Sequence, residues 1–248
     1  MVRWLKIVTL MLALVASGVF IMSCGSGGDA QVRVINAIDT TSATNLDVYI
    51  NGNKYFTNVA FDQVYPTQAT PAAYVGVPSG SVTVQAYPTG TTSNPIFGSS
   101  ADSASLSGST QYTMLLAGRN PSTASVNLLT DSSTVPTNGQ MEVRVINGAA
   151  STAPPGQGIG VAIFQSGQTV PTPTNVAFGQ STGYVNVPFV AQQTYEVEVF
   201  LGTSEELFTY SFVPGGSATG GQITTLVVID NPGGFNIDST PLEMIDLN

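Results

Sequence analysis

The pentapeptide VRVIN occurs at residues 32–36 and again at 143–147, and four further segments repeat behind it in the same order. NVAFDQ at 58–63 returns as NVAFGQ at 175–180, and YVGVP at 74–78 returns as YVNVP at 184–188. VTVQAY at 82–87 parallels YEVEVF at 195–200, and QYTMLLAG at 111–118 parallels QITTLVVI at 222–229. The offset stays between 110 and 117 residues throughout. Ordered matches of this kind mark a tandem duplication, so whatever unit the first copy builds, the chain builds twice.

Within each copy the hydrophobic period is two. Val32 and Val34 face one way while Arg33 and Ile35 face the other, and Tyr195, Val197, Val199 and Leu201 oppose Glu196 and Glu198. That alternation predicts half-buried strands. In the first copy they fall around 31–37, 46–50, 73–77, 82–87, 95–99, 111–117 and 126–130. Their counterparts fall around 141–147, 159–164, 182–187, 194–201, 207–213, 222–230 and 242–246. Asn51-Gly52, Ser79-Gly80, Gly215-Gly216 and Pro232-Gly233-Gly234 supply turns between them. The fold class expected is all-β: two tandem immunoglobulin-like antiparallel β-sandwich domains of about seven strands each, after an N-terminal signal helix. The boundaries that follow are a signal peptide at 1–23, a flexible tether at 24–30, and sandwiches at 31–137 and 138–248.

The N-terminus carries the targeting information. Arg3 and Lys6 precede an apolar run from Ile7 to Phe20, too short to span a bilayer and of signal-peptide length. Ile21-Met22-Ser23-Cys24 then resembles a bacterial lipobox, and Cys24 is the single cysteine of the chain. That resemblance implies a diacylglyceryl group on the Cys24 sulfur, cleavage after Ser23 and acylation, as by palmitate, of the new amine. Two or three acyl chains, at roughly 0.8 kcal/mol per buried methylene, anchor a protein stably. The alternative is an ordinary secretory signal followed by an unpaired thiol, a liability in an oxidising compartment. Gly25 at the next position implies the outer membrane, and GSGGDA at 25–30 is a tether of at most about 20–25 Å.

VRVINA, LDVYINGN, NVAF, YVGVPSGSVTVQAYPTG and QYTMLLAG together resemble the bacterial domain of unknown function numbered 4397, over about 31–131 and again over 141–230. The second copy departs from the pattern where IGVAIFQSG replaces LDVYINGN, losing the counterpart of Asp47. The resemblance implies a secreted or lipid-anchored protein. It brings no catalytic residue with it.

Composition narrows the chemistry. The formal charge is −9, and removing Arg3 and Lys6 with the leader leaves four basic against fifteen acidic residues, or −11. Such a surface repels nucleic-acid backbones. Histidine is absent, which removes the usual general base and the commonest zinc ligand. S-x-x-K does not occur, and Lys54 behind an Asn-Gly turn reads as an exposed hairpin lysine. Paired carboxylates are the remaining route to a hydrolase, and Glu196 with Glu198 and Glu205 with Glu206 read better as a solvated strand face and a turn. No catalytic residue and no cofactor beyond the lipid are assigned.

Two candidate ligand sites remain. Asp39, Asn45 and Asp47 offer hard oxygens to calcium, although without an EF-hand spacing, and Asx-turn formation is the competing reading. Tyr65 and Tyr87, each beside a proline, are the candidate ligand-facing aromatics. Phe61 and Phe178 recur at equivalent positions and read instead as core plugs. The function expected is a lipid-anchored, extracytoplasmic binding or scaffolding protein of the bacterial envelope. It is non-catalytic and takes a protein or glycan partner. The alternatives are a carbohydrate-binding or adhesive surface lipoprotein and, third, a carboxylate-dependent hydrolase.

Overall fold

The computed structural model describes residues 28–39, 45–67, 73–96, 102–119, 123–151, 158–214, 222–231 and 237–247. The expected signal segment and the lipobox-like Ile21-Met22-Ser23-Cys24 lie outside these residues. Every regular element described is a strand, and the fold is all-β, a set of stacked sheets forming sandwiches.

Before residue 131 the chain forms β1 (Ala30–Ile38), β2 (Leu46–Ile50), β3 (Asn53–Val59), β4 (Gln63–Tyr65), β5 (Val75–Val77), β6 (Gly80–Pro88), β7 (Asp102–Leu106), β8 (Gln111–Gly118) and β9 (Ser125–Thr130). After residue 139 come β10 (Gln140–Asn147), β11 (Ile159–Gln165), β12 (Thr174–Val176), β13 (Val185–Pro188), β14 (Tyr195–Leu201), β15 (Glu205–Phe212), β16 (Ile223–Val228) and β17 (Leu242–Leu247). Each half holds one inner and one outer sheet. The inner sheets run β4-β1-β8-β9, with β5 also on β1, and β13-β10-β16-β17. The outer sheets run β3-β2-β6-β7 and β12-β11-β14-β15.

Three apolar layers hold the four sheets in one stack. Val32, Val34, Met114 and Leu116 of the first inner sheet pack on Val48, Ile50, Val82 and Val84 of its outer sheet. Met141, Val143, Val145 and Leu226 meet Val161, Val197 and Val199 in the second half. Between the halves, Ile35, Leu115 and Ala117 pack on Ile146, Val227 and Met244. The inner strands are therefore covered on both faces, which is why β1 and β8 are buried along nearly their whole length. The faces of β1 and β10 opposite the valines meet the other half of the molecule instead of water.

Several expectations need correction. The sandwiches hold nine and eight strands among the described residues, not about seven. One pair in each inner sheet is parallel, β1 with β8 and β10 with β16, because the chain crosses the outer sheet between them and returns in the same direction. β3 escapes a period-two search because two bulges break its pairing with β2, and only Phe56 and Val59 reach the core. β4 and β12 are three-residue strands defined by their partners. Of the strand expected at 95–99, Pro95 and Ile96 lie in a turn, and the edge strand comes later, at β7. The ordered fold also begins inside the expected tether, since Ala30 is buried and pairs with Val77.

Candidate functional site

The repeated motifs owe their pairing to one asparagine. In the first half Asn36 Nδ2 donates to the Val59 carbonyl at 3.0 Å and Asn36 Oδ1 accepts the Ile38 N–H at 3.1 Å. In the second half Asn147 Nδ2 donates to the Val176 carbonyl at 3.0 Å and its Oδ1 accepts the Ala149 N–H at 3.1 Å. VRVIN and NVAF recur together because this side chain ties inner sheet to outer sheet. Behind it, Phe61 and Phe178 both pack into the layer between the halves, in keeping with their reading as plugs.

The arginine of each VRVIN stands at the centre of that layer. Arg33 Nη1 contacts Asp246 of the other half at 2.5 Å, and Arg144 Nη1 contacts Asp131 of the other half at 2.9 Å. Within its own half Arg33 Nη2 lies 3.2 Å from Asp131, an ion pair without hydrogen-bond alignment, and Arg144 Nη2 lies 3.8 Å from Asp246. Each Nε donates to a threonine, Arg33 to Thr113 at 2.8 Å and Arg144 to Thr225 at 3.1 Å. The threonines donate onward, Thr113 to Asp131 at 2.8 Å and Thr225 to Asp246 at 2.6 Å. Tyr74 and Tyr184 cover the guanidiniums at 5.4 and 4.6 Å from ring centre to carbon. Residue i meets j and j meets i, the pattern of an isologous dimer interface built inside one chain. All four charged groups are nearly solvent-free.

The equivalence of Thr113 and Thr225 shifts the alignment of QYTMLLAG with QITTLVVI by one residue, so that Gln111 matches Ile223. A slip of one residue would turn every side chain of the strand to the other face. Burial acts against the Arg33 charge, and Asp131 with Asp246 outweighs it, holding its pKa above the ordinary value. Burial also pushes the Tyr184 hydroxyl up to about 12, against the opposing pull of Arg144.

The remaining cations are engaged as well. Arg119 bridges the halves, 3.9 Å from Asp39 and 3.5 Å from Asp230. Lys54 contacts Asp47 at 2.8 Å. Burial opposes ionisation of Asp47, but hydrogen bonds from Lys54 and from the Asn58 and Gly90 N–H groups outweigh it and keep its pKa below the usual carboxylate range. The calcium candidates are thus divided: Asp39 faces Arg119, Asp47 faces an ammonium, and Asn45 donates to Asn58 at 2.8 Å. Among the described residues no three carboxylates gather as a metal-binding group. Lys54 is exposed behind the Asn51-Gly52 turn, as expected, and also neutralises that buried carboxylate.

Tyr65 and Tyr87 lie apart. Tyr65 packs edge-on against Phe56 and lines a cleft of about 210 Å³ with Asn58, Gln63 and Thr67. Tyr87 meets Tyr49, at 5.4 Å and 86°, on the outward face of the first outer sheet. Glu196 and Glu198 stand on the outward face of the second outer sheet, where Ser166 donates to Glu196 at 2.7 Å. Burial, then Glu206 and Glu196, push the Glu198 carboxyl upward.

The model of the domain of unknown function DUF4397 matches residues 30–155, half of the chain. The chain belongs to the DUF4397 family. The DUF4397 match spans β1 to β9 and continues through β10, the strand that carries the second VRVIN. No curated protein matches the chain. Among solved structures it is similar to the Bacillus anthracis TIE protein, at 13% identity and a TM-score of 0.24 over 82% of this chain and 34% of that one. It is also similar to a leucine-rich repeat protein from Bacteroides thetaiotaomicron, at 16% identity and a TM-score of 0.18 over 80% of this chain and 25% of that one. Likenesses at these scores carry no argument about this DUF4397 protein, which spans about a third and a quarter of their lengths.

One difference between the two NVAF segments has a local cause. NVAFDQ carries Asp62 where NVAFGQ carries Gly179, and both N–H groups donate to the carbonyl of the VRVIN asparagine. A Cβ at Gly179 would meet the Asn127 side chain of the other half, so only glycine fits there. Asp62 has room, but burial and the facing Asp238 of the second half push its carboxyl up to about 6. A raised carboxylate pKa favours the protonated fold, so stability is lost as pH rises from about 4 through 6. Asp62→Asn is expected to add about 1 kcal/mol at pH 7.5, a figure discounted because the group is partly exposed, and nothing at about pH 3.5. Urea denaturation at both pH values measures it.

Proposed function

We propose that this chain is a non-catalytic binding or scaffolding protein of the bacterial envelope, held to the outer membrane by lipid on Cys24. The observation that carries the reading is how the basic side chains outside the leader are used. Arg33, Arg119 and Arg144 join the two halves to each other, and Lys54 neutralises a buried carboxylate. The scarce cations of the chain go into stiffening one four-layer body. A rigid body with loops at its ends and two open outer sheet faces suits the presentation of surfaces to a partner. The lipobox-like Ile21-Met22-Ser23-Cys24 and the Gly25 behind it support the anchor and its destination.

Expression of the full chain in a bacterium tests the anchor. Mass spectrometry is expected to find diacylglyceryl and an added acyl group on the N-terminal peptide beginning at Cys24. Cys24→Ala is expected to move the protein out of the membrane fraction. An unmodified thiol on exported protein would defeat the reading. The glycan-binding alternative is favoured by one specific feature, the Tyr49–Tyr87 pair on an open sheet face.

A further inference from the structure

We infer that the outward face of the sheet β3-β2-β6-β7 binds a neutral polysaccharide, with Tyr49 and Tyr87 as its stacking platform. The inference rests on the binding-protein reading and gives its glycan alternative a site.

The two halves act as each other's control. What the fold requires recurs: Arg33 with Arg144, Asp131 with Asp246, and Asn36 with Asn147. The outward face of the first outer sheet recurs only in Phe200, which takes the place of Tyr87. Strand pairing sets Asp47 opposite Tyr87 and Tyr49 opposite Gln85, and in the second half it sets Gly160 opposite Phe200 and Ala162 opposite Glu198. Tyr49 is thus matched by Ala162, Gln85 by Glu198 and Thr83 by Glu196. The architecture builds the same sheet without the tyrosine pair and without the amide. These residues answer to something other than folding.

Their chemistry points to sugar. The tyrosines are half-buried diagonal neighbours on adjacent strands, fixed edge to face, so aromatic surface is offered with little ordering cost. The Lys54 ammonium lies 5.7 Å from the Tyr49 ring centre and 2.8 Å from Asp47. Alternation places Thr83, Gln85, Ser103 and Ser105 on the same face, with hydroxyls and an amide that both donate and accept. Asp47 and Lys54 cancel, so this face carries no net charge, whereas its counterpart holds Glu196, Glu198 and Glu206. Apolar ring faces, bidirectional hydrogen-bonding groups and local neutrality on a strongly acidic protein complement an uncharged polymer of hydroxylated rings and disfavour a polyanion.

Affinity electrophoresis of the full chain in non-ionic detergent tests this, with hydroxyethylcellulose, galactomannan or glycogen in the gel and alginate as the polyanion. Retardation by at least one neutral polymer and not by alginate is expected. Tyr49→Ala and Tyr87→Ala are each expected to weaken it about tenfold. Tyr87→Phe is expected to keep most of it, and Phe200→Ala on the opposite face all of it. Gln85→Glu, which imports the charge of the second half without removing a ring, is expected to weaken it as well. The melting temperature of each variant separates loss of binding from loss of fold. Retardation that survives in Gln85→Glu and in the folded double tyrosine variant overturns the site. No retardation by any neutral polymer, with Cys24 lipidated, overturns the glycan and leaves the anchored binding protein standing.

Discussion

Arg144→Met is expected to cost about 3–5 kcal/mol of unfolding free energy, the range for breaking one partner out of a buried ion pair. The variant strands Asp131 and Asp246 in the layer between the halves, where both are nearly solvent-free, and removes the donor to Thr225. Arg33 remains, 2.5 Å from Asp246 and 3.2 Å from Asp131, but one guanidinium then serves two carboxylates. For a chain of this length the corresponding fall in melting temperature is about 6–20 °C. Guanidinium denaturation followed by tyrosine fluorescence measures it. Replacing both arginines and both aspartates together with apolar residues of similar volume is expected to be far milder, because no orphan charge is left. A single variant as stable as wild type would mean that water reaches the cluster and that the halves are not firmly closed.

Asn147→Ala is expected to cost about 2–4 kcal/mol, because it leaves the Val176 carbonyl and the Ala149 N–H buried without their partner. Asn36→Ala removes the same two bonds in the first half and is expected to cost a similar amount. The bonds lost in the two variants go to different groups, so the double variant should lose the sum to within about 0.5 kcal/mol. Hydrogen exchange supplies a second readout: protection of the Ala149 N–H should fall in Asn147→Ala and hold in Asn36→Ala.

The period of two and the turn residues make the all-β class and most strands legible from sequence. The repeats make the Asn36 and Asn147 ties and the Phe61 and Phe178 plugs visible as positions, though not as contacts. The central ring is hidden by its own geometry. Arg33 meets an aspartate 213 residues away, and alternation alone assigns it to water. One signal did exist. Only four basic residues follow Lys6, and two of them occupy the same place in the two copies of VRVIN. The aromatic face is half legible: Tyr87 is visible beside its proline, but the Tyr49 contact needs the register of β2 against β6.

Enclosing a two-fold-like junction within a single polypeptide has a consequence for how such a protein can change. In an association of identical subunits, every substitution on one outer surface appears on the other as well. Here the two ends of the stack are encoded separately, so one can become aromatic and neutral while the other becomes acidic, and the seam between them stays as it was.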